Sequence, residues 1–494
     1  MTEPLAHHAP FGLPQACYID GNWADGHGSE LLTVQDPASE QTIAQLPVAS
    51  VAQADDALRA ARSAFDGGGW SRATPVVRSD ALHVLADELE RNADPLADLM
   101  TAEIGAPVQF SRPVHVDSAI ELLRWFADAA ARGPWPGYEQ AMPNHRGAVA
   151  SRSVLLHEPA GVVAAISAYN FPLLLVVRKL GAALAAGCSV VVMPSPQAPL
   201  STIAFMRVVA DTGLLPPGTA NLVVGNAEVG ARLTTSPLVD MVTFTGSRDV
   251  GQRVMAQAAG GIKKVVLELG GKSANIVLPG TTIQPVVKPS ILRYALNAGQ
   301  ACGATTRTFI PRSDMDEYVE EARTFLANLT VGDPRDTATV VGPLIRKRHL
   351  QSVEGYVDRA LKSGAKIEAA ASVEEKTGFY LAPLLIGDVT NDAEISQEEL
   401  FGPVGVVMPY DEIDDAIAMA NDTQFGLNAN VWGTTSEAIE VARRLRSGTV
   451  TVNGGGGSRQ DVPWGGFGAS GIGRESGEAG FREFFEIKHI QWPT

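Results

Sequence analysis

Three short stretches of this 494-residue chain carry side chains whose types and settings could do chemistry. Asn297-Ala-Gly-Gln-Ala-Cys302-Gly-Ala-Thr places one thiol among small residues that leave room for a substrate to approach sulfur. As a thiolate it is a nucleophile; as a lone cysteine it equally reads as a buried small hydrophobe. Leu267-Glu268-Leu269-Gly-Gly-Lys-Ser sets one carboxylate in an apolar strand. There it is either an ion-paired structural group or a carboxylate whose pKa burial raises toward general-base work. Ala168-Tyr169-Asn170-Phe-Pro ends a strand just before a helix, so the Asn170 amide either points into a cleft or caps the helix.

These residues need a scaffold, and the pattern along the chain supplies one. Ser50 and Gln53 form a capping box ahead of the 3-4 spacing Ala54, Ala57, Leu58, Ala61, Phe65. Further helices are expected near 79–92 and 116–131, making the first third mainly helical cover. From about Ser151 the pattern alternates. Strands at 153–156, 161–168, 189–192, 221–224, 241–244 and 264–269 are separated by helices at 173–186, 200–212 and 250–258. Continuous apolar strands alternating with helices indicate a parallel, doubly wound, nucleotide-binding sheet. A second α/β series follows Gly270, and the run 486–491 is an orphan strand that must pair with something, such as a partner subunit.

Composition excludes several classes. There are 39 basic against 55 acidic residues, a net charge of −16, which argues against nucleic acid and anionic membranes as partners. Cys17, Cys188 and Cys302 are too few and scattered for a disulfide framework or a cysteine-rich metal site, and no metal is expected. No targeting signal or spanning segment is visible, so the expected location is the cytoplasm. The phosphate-loop patterns at Gly225–Gly230 and Gly270–Ser273 both fail, and Gly471-Ile472-Gly473 reads as turn chemistry.

Taken together, five motifs carry a family resemblance: Leu267–Ser273, Gly299–Cys302, Phe244-Thr-Gly-Ser247, Glu398–Pro403 and Gly466–Glu475. In order and spacing the chain, from about Tyr18 onward, resembles the aldehyde dehydrogenase superfamily. That resemblance implies an α/β fold with a Rossmann-like NAD(P)-binding domain (1–138 and 159–269), a second α/β catalytic domain (270–480) and a small β oligomerisation element (139–158 and 481–494). It implies that Cys302 attacks the aldehyde, Asn170 and the Cys302 backbone N–H hold the oxyanion, and Glu268 activates water to hydrolyse the thioester. Lys179 and Glu475 match a proton relay, or form a structural ion pair. For the cofactor it points to Gly246, Ser247 and Gly251 at the pyrophosphate, Glu399 and Phe401 at the nicotinamide ribose, and Gly225 and Gly230 near the adenosine. Ser167, Tyr169, Phe244, Leu269 and Gly270 complete that site with Met193 and Ser195.

Departures from the family pattern bear on specificity. Met193 stands where the family usually has a ribose-gripping lysine, and Pro196 where a glutamate often favours NAD. NAD is the expected cofactor, with NADP left open. Arg178 occupies a position that is bulky and aromatic in many family members, and resembles the semialdehyde-oxidising branches. It either binds a substrate carboxylate or pairs with an acidic residue of the protein. Leu296 stands where succinic semialdehyde dehydrogenases have a second arginine. The expected partners are a small aldehyde and further copies of the chain, in a homodimer or homotetramer. Rivals are a CoA-acylating relative, which would not need Glu268, an inactive relative acting as a binding protein, and a cysteine hydrolase, for which no histidine partner is evident.

Overall fold

Two parallel sheets, each with an antiparallel edge, bring the chemistry-bearing segments together. The computed structural model describes residues 12, 15–147, 149–375, 377–455 and 459–494. Gly456 and Gly457 of the glycine run that begins at Gly454 therefore lie outside the described residues. In the first sheet the strands run Asn22–Ala24, Cys17–Ile19, Ala220–Val223, Ser189–Met193, Val162–Ile166, Met241–Thr245, Lys264–Glu268 and Gly471–Ile472. The central five are parallel, and their side chains are buried almost throughout, as covered faces require. Chain order reverses around Val162–Ile166: the next two strands add on one side, and Met241–Thr245 with Lys264–Glu268 on the other. Loops leaving the carboxyl ends of Val162–Ile166 and Met241–Thr245 therefore diverge and open a crevice, the usual place for a ligand in such sheets.

The second sheet runs Lys366–Ala370, Leu384–Gly387, Val404–Tyr410, Arg307–Pro311, Ala274–Val277, Asn428–Trp432 and Thr449–Val452. All but the first pair are parallel. Each sheet has its own apolar core.

The expected helices form, with small shifts. The Ser50–Gln53 capping box closes on helix Val51–Gly67. The helix expected at 116–131 is Ser118–Arg132, entered through a π-helical turn, Ser111–Asp117. The first third is mainly helical cover, as expected, with strands added to it, and one expectation needs correction. Cys17–Ile19 and Asn22–Ala24 extend the first sheet, and Leu31–Gln35 pairs with Thr42–Pro47. Asp20 and Gly21 both have positive φ (49° and 82°), the two-residue hairpin turn that an Asp-Gly dipeptide signals, but three-residue strands carry no readable alternation. The final strand is not an orphan: Phe485–Pro493 pairs antiparallel with the chain's own Ala150–Pro159, from Phe485 opposite Pro159 to Pro493 opposite Ser151. Pairing over that sequence distance leaves no local signal. Among the described residues no helix is long and apolar enough to cross a membrane.

Candidate active site

Cys302 follows a turn that few sequences adopt. Asn297, Ala298 and Gly299 have φ of 55°, 52° and 73°, three successive left-handed residues at a cost of about 1–2 kcal/mol for each non-glycine. Side chains hold the turn. Asn297 Nδ2 donates to the carbonyls of Asn170 (3.0 Å) and Gln300 (3.2 Å), and Gln300 Nε2 donates back to the Asn297 carbonyl at 3.1 Å. Gln300 Oε1 accepts from the Ile345 N–H at 3.0 Å. Close backbone approach fixes the rest. A Cβ on Gly299 would lie 2.1 Å from the Gly402 carbonyl carbon, and one on Gly271 would lie 2.6 Å from the Cys302 carbonyl oxygen. Three motifs far apart in sequence thus pack backbone to backbone around the thiol.

Asn170 is buried at the mouth of the loop after Val162–Ile166 and does not cap the following helix; Phe171 occupies that cap position without a side-chain bond. Its Nδ2 donates to the Gln300 carbonyl at 3.0 Å, leaving a second N–H on the same amide.

Glu268 ends its strand, is 2% exposed, and neither carboxylate oxygen has a hydrogen-bond partner. Burial, then repulsion from Glu475, hold its pKa well above the usual carboxylate range; Lys179, Arg178 and Arg474 pull the other way. The structural ion pair that its setting also allowed is not formed among the described residues. Lys179 instead pairs with Glu475, both fully enclosed. Thr243 Oγ1 bridges them, accepting from Lys179 Nζ at 3.0 Å and donating to Glu475 Oε1 at 3.2 Å.

Cys302 Sγ, Glu268 and Asn170 open on one cavity of about 820 Å³, within the range of small-molecule sites. Burial, then Glu268 and Glu399, push the Cys302 thiol up to about 12, and Arg178 and the Gly303 N–H oppose this. Arg178 lies 5.7 Å from the centroid of the Trp464 ring, its Nε is buried without a partner, and it forms no ion pair among the described residues. No internal acidic partner stands beside it among the described residues.

Strand ends and loops build another part of the cavity wall. Ser167, Met193, Ser195 and Phe244 line it, as do Gly246 and Ser247. A Cβ on Gly246 would meet the Phe244 ring at 2.4 Å, so this turn is closed to larger residues. Ser247 lines the cavity and starts helix Arg248–Ala259 without capping its first-turn N–H groups by its side chain. Leu269, Gly270, Tyr169, Phe401 and Glu399 also line the cavity. Glu399 Oε1 accepts from the Gly271 N–H at 3.0 Å, and burial raises its carboxyl to about 7 despite that bond, Lys272 and Arg248.

The arrangement can present a thiol, a poised carboxylate and an amide donor to one carbonyl group, beside a long cleft at a helix N-terminus. The model of the aldehyde dehydrogenase family matches residues 23–490. The chain belongs to the aldehyde dehydrogenase family. It is an NAD(P)-dependent oxidoreductase of that family. Among curated relatives it is 37% identical to 3-succinoylsemialdehyde-pyridine dehydrogenase of Pseudomonas sp, over 96% of this chain and 97% of the relative. It is 34% identical to the NADP-linked succinate-semialdehyde dehydrogenase of Escherichia coli (strain K12), over 96% and 97%. Betaine aldehyde dehydrogenase of Staphylococcus aureus, solved with NAD+, superposes with a TM-score of 0.94 at 30% identity, over 99% of this chain and 96% of that one.

In this member of the aldehyde dehydrogenase family most of the residues expected from sequence line the cavity, but not all of them do. Lys179 and Glu475 lie behind Glu268. Gly251 packs against Leu269 and Gly230 against the Met193 thioether, behind wall residues, whereas Gly225 packs against Val229, which does not line the cavity. Sequence reading missed Trp464, whose ring covers Gly303 and whose backbone exchanges hydrogen bonds with Glu475 (2.7 and 2.8 Å). It also missed Asn428, which donates to the Gly303 carbonyl at 2.8 Å, and His349, whose Nε2 lies 2.7 Å from the Phe401 carbonyl. A lone tryptophan one residue before the Gly465-Gly466 pair was the only local hint.

Proposed function

We propose that this aldehyde dehydrogenase oxidises aldehydes carrying a carboxylate at the far end, to the dicarboxylic acids. Cys302 Sγ, having lost its proton to solvent, bonds as the thiolate to the carbonyl carbon. The side-chain amide of Asn170 donates to the developing oxyanion, a type of bond worth roughly 3 kcal/mol in a water-poor site. A bound nicotinamide dinucleotide supplies the acceptor for the hydride that leaves the thiohemiacetal carbon. Glu268 then takes a proton from water, whose oxygen bonds to the thioester carbon and displaces Cys302 as thiolate. Glu475 stands ready to pass that proton on, since its Oε2 is buried and unpartnered.

The cavity suits the dinucleotide. Ser167 Oγ and Gln197 Oε1 are buried without partners on its wall, and the uncapped helix start at Ser247 offers donors to a pyrophosphate. The wall segment from Met193 to Gln197 carries no charged side chain, which supports NAD over its 2′-phosphorylated form.

Arg178 carries the substrate reading. It is a guanidinium in the cavity without an ion-pair partner among the described residues, close enough to influence both Cys302 and Glu268. The test is Arg178→Leu, assayed on a semialdehyde acid and on the neutral aldehyde of equal length. Losing the cation raises the Cys302 pKa, so kcat falls for both substrates; KM should rise far more for the acid. Equal KM changes would sink the idea.

We also read residues 1–138 and 159–269 as the cofactor domain, 270–480 as the catalytic domain, and 139–158 with 481–494 as an oligomerisation element in a dimer or tetramer. Exposed Ile487, Ile490 and Trp492 on the last strand support the third part of that reading.

A further inference from the structure

Cys302 and Gly303 are the two central residues of a tight turn, closed by the Ala304 N–H donating to the Ala301 carbonyl at 3.0 Å. The peptide between them is the unit that reverses when a turn passes between its two common types. A type II turn requires positive φ at its third residue, and glycine is the residue that meets this most easily. Gly303 does not have positive φ, so the 302–303 peptide stands the other way. In that orientation the Gly303 N–H faces the Cys302 sulfur and opposes the rise of its pKa. Contacts from outside the turn must keep a glycine in this state.

Two side chains make those contacts. Asn428 Nδ2 donates to the Gly303 carbonyl at 2.8 Å. The Trp464 ring closes on the Gly303 Cα, with Cη2 2.8 Å from where a Cβ would stand. Asn428 is 7% exposed, lines the cavity and opens the strand Asn428–Trp432. That strand start is pinned. The Gly426 N–H donates to Ser470 Oγ at 2.9 Å, and Ser470 Oγ donates to the Gly270 carbonyl at 2.7 Å. The Leu427 Cβ lies 3.2 Å from where a Gly271 Cβ would stand, a point 2.6 Å from the Cys302 carbonyl oxygen. Asn428 Oδ1 is buried and finds no hydrogen-bond partner among the described residues. A leucine would fill the place without that cost, so the bond to Gly303 is what the amide supplies.

We propose that Asn428 is a positioning residue for the nucleophile, holding the turn at Gly303 against reversal of the 302–303 peptide and so keeping that peptide's N–H on the Cys302 sulfur. It acts on the attack step and not on the later hydrolysis. This rests on the reading of Cys302 as the nucleophile.

The test uses the full-length enzyme with NAD, in excess over the aldehyde. NADH appearance then reads attack and hydride transfer, and release of the acid reads hydrolysis. Asn428→Leu is close in size and removes the amide. NADH appearance should slow roughly tenfold, the loss of about one hydrogen bond, while hydrolysis of the thioester once formed keeps its rate. With cofactor and aldehyde both left out, alkylation of Cys302 by iodoacetamide at one fixed pH should slow by a similar factor. Asn428→Ala, which brings no added bulk, gives the same reading should the leucine variant not fold. A side chain that only packs predicts a changed melting temperature with attack and alkylation at wild-type rates, and that result overturns the proposal. A loss falling equally on attack and hydrolysis overturns it too. Cys302→Ala is the control: activity surviving there removes the nucleophile reading itself, whereas its loss beside normal Asn428 variants removes only the role of Asn428.

Discussion

Lys179 gives its ammonium to Glu475 and leaves Glu268 without a counter-ion, although all three are enclosed in one buried space. Two carboxylates share one lysine, and repulsion falls on the one that is not paired. Glu268 thereby keeps its protonated form into a pH range where an ordinary glutamate has lost it.

Glu475→Gln removes the repelling charge and leaves Lys179 facing Glu268. The Glu268 pKa should fall, and the rising limb of thioester hydrolysis should move to lower pH in single-turnover measurements. Lys179→Met should move that limb the other way. It should also destabilise the fold by about 3–5 kcal/mol, because Glu475 is left charged and buried. A limb that stays put in Glu475→Gln would show that the two carboxylates do not interact.

Cys302→Ala should abolish aldehyde oxidation and any ester hydrolysis together, since both need the same sulfur. Glu268→Gln should leave one burst of reduced cofactor followed by a slow steady state. Because the Glu268 pKa is raised, its base form accumulates only above the usual carboxylate range, so wild-type hydrolysis should climb with pH there. The Gln variant should be flat. Loss of the burst would move Glu268 into the acylation half.

Met193→Lys places an ammonium on the uncharged wall segment beside Gly230. Cofactor KM should fall, more for NADP than for NAD, by an amount on the order of 1 kcal/mol for a partly desolvated charge contact. Unchanged KM for both would place the adenosine ribose elsewhere.

Gly299→Ala forces a Cβ into a left-handed residue and against the Gly402 backbone. The cost of the left-handed conformation alone is roughly 1 kcal/mol, and the clash adds to it. Since the strain falls on the turn before Cys302, kcat/KM should drop by more than about tenfold with the melting temperature only slightly lowered. Wild-type activity in this variant would show that the turn does not position the thiol.

The sequence determined the alternating strands and helices, and with them the class of fold, because covered parallel strands are continuous apolar runs and helices repeat at 3.6 residues. Its motifs also named Cys302, Glu268 and Asn170, whose local settings, small neighbours, an apolar strand and a strand end, are written in adjacent residues. What lay beyond it was every relation between distant segments. That Lys179 pairs with Glu475 rather than Glu268, that Trp464 sits over Gly303, and that Arg178 finds no acidic partner among the described residues depend on segments far apart in the chain. The same holds for the last strand, which pairs within its own chain through backbone hydrogen bonds that any sequence of suitable register would make. Local patterns fix what a segment becomes; burial and charge balance, which decide how a site titrates and what it binds, exist only once the segments are packed.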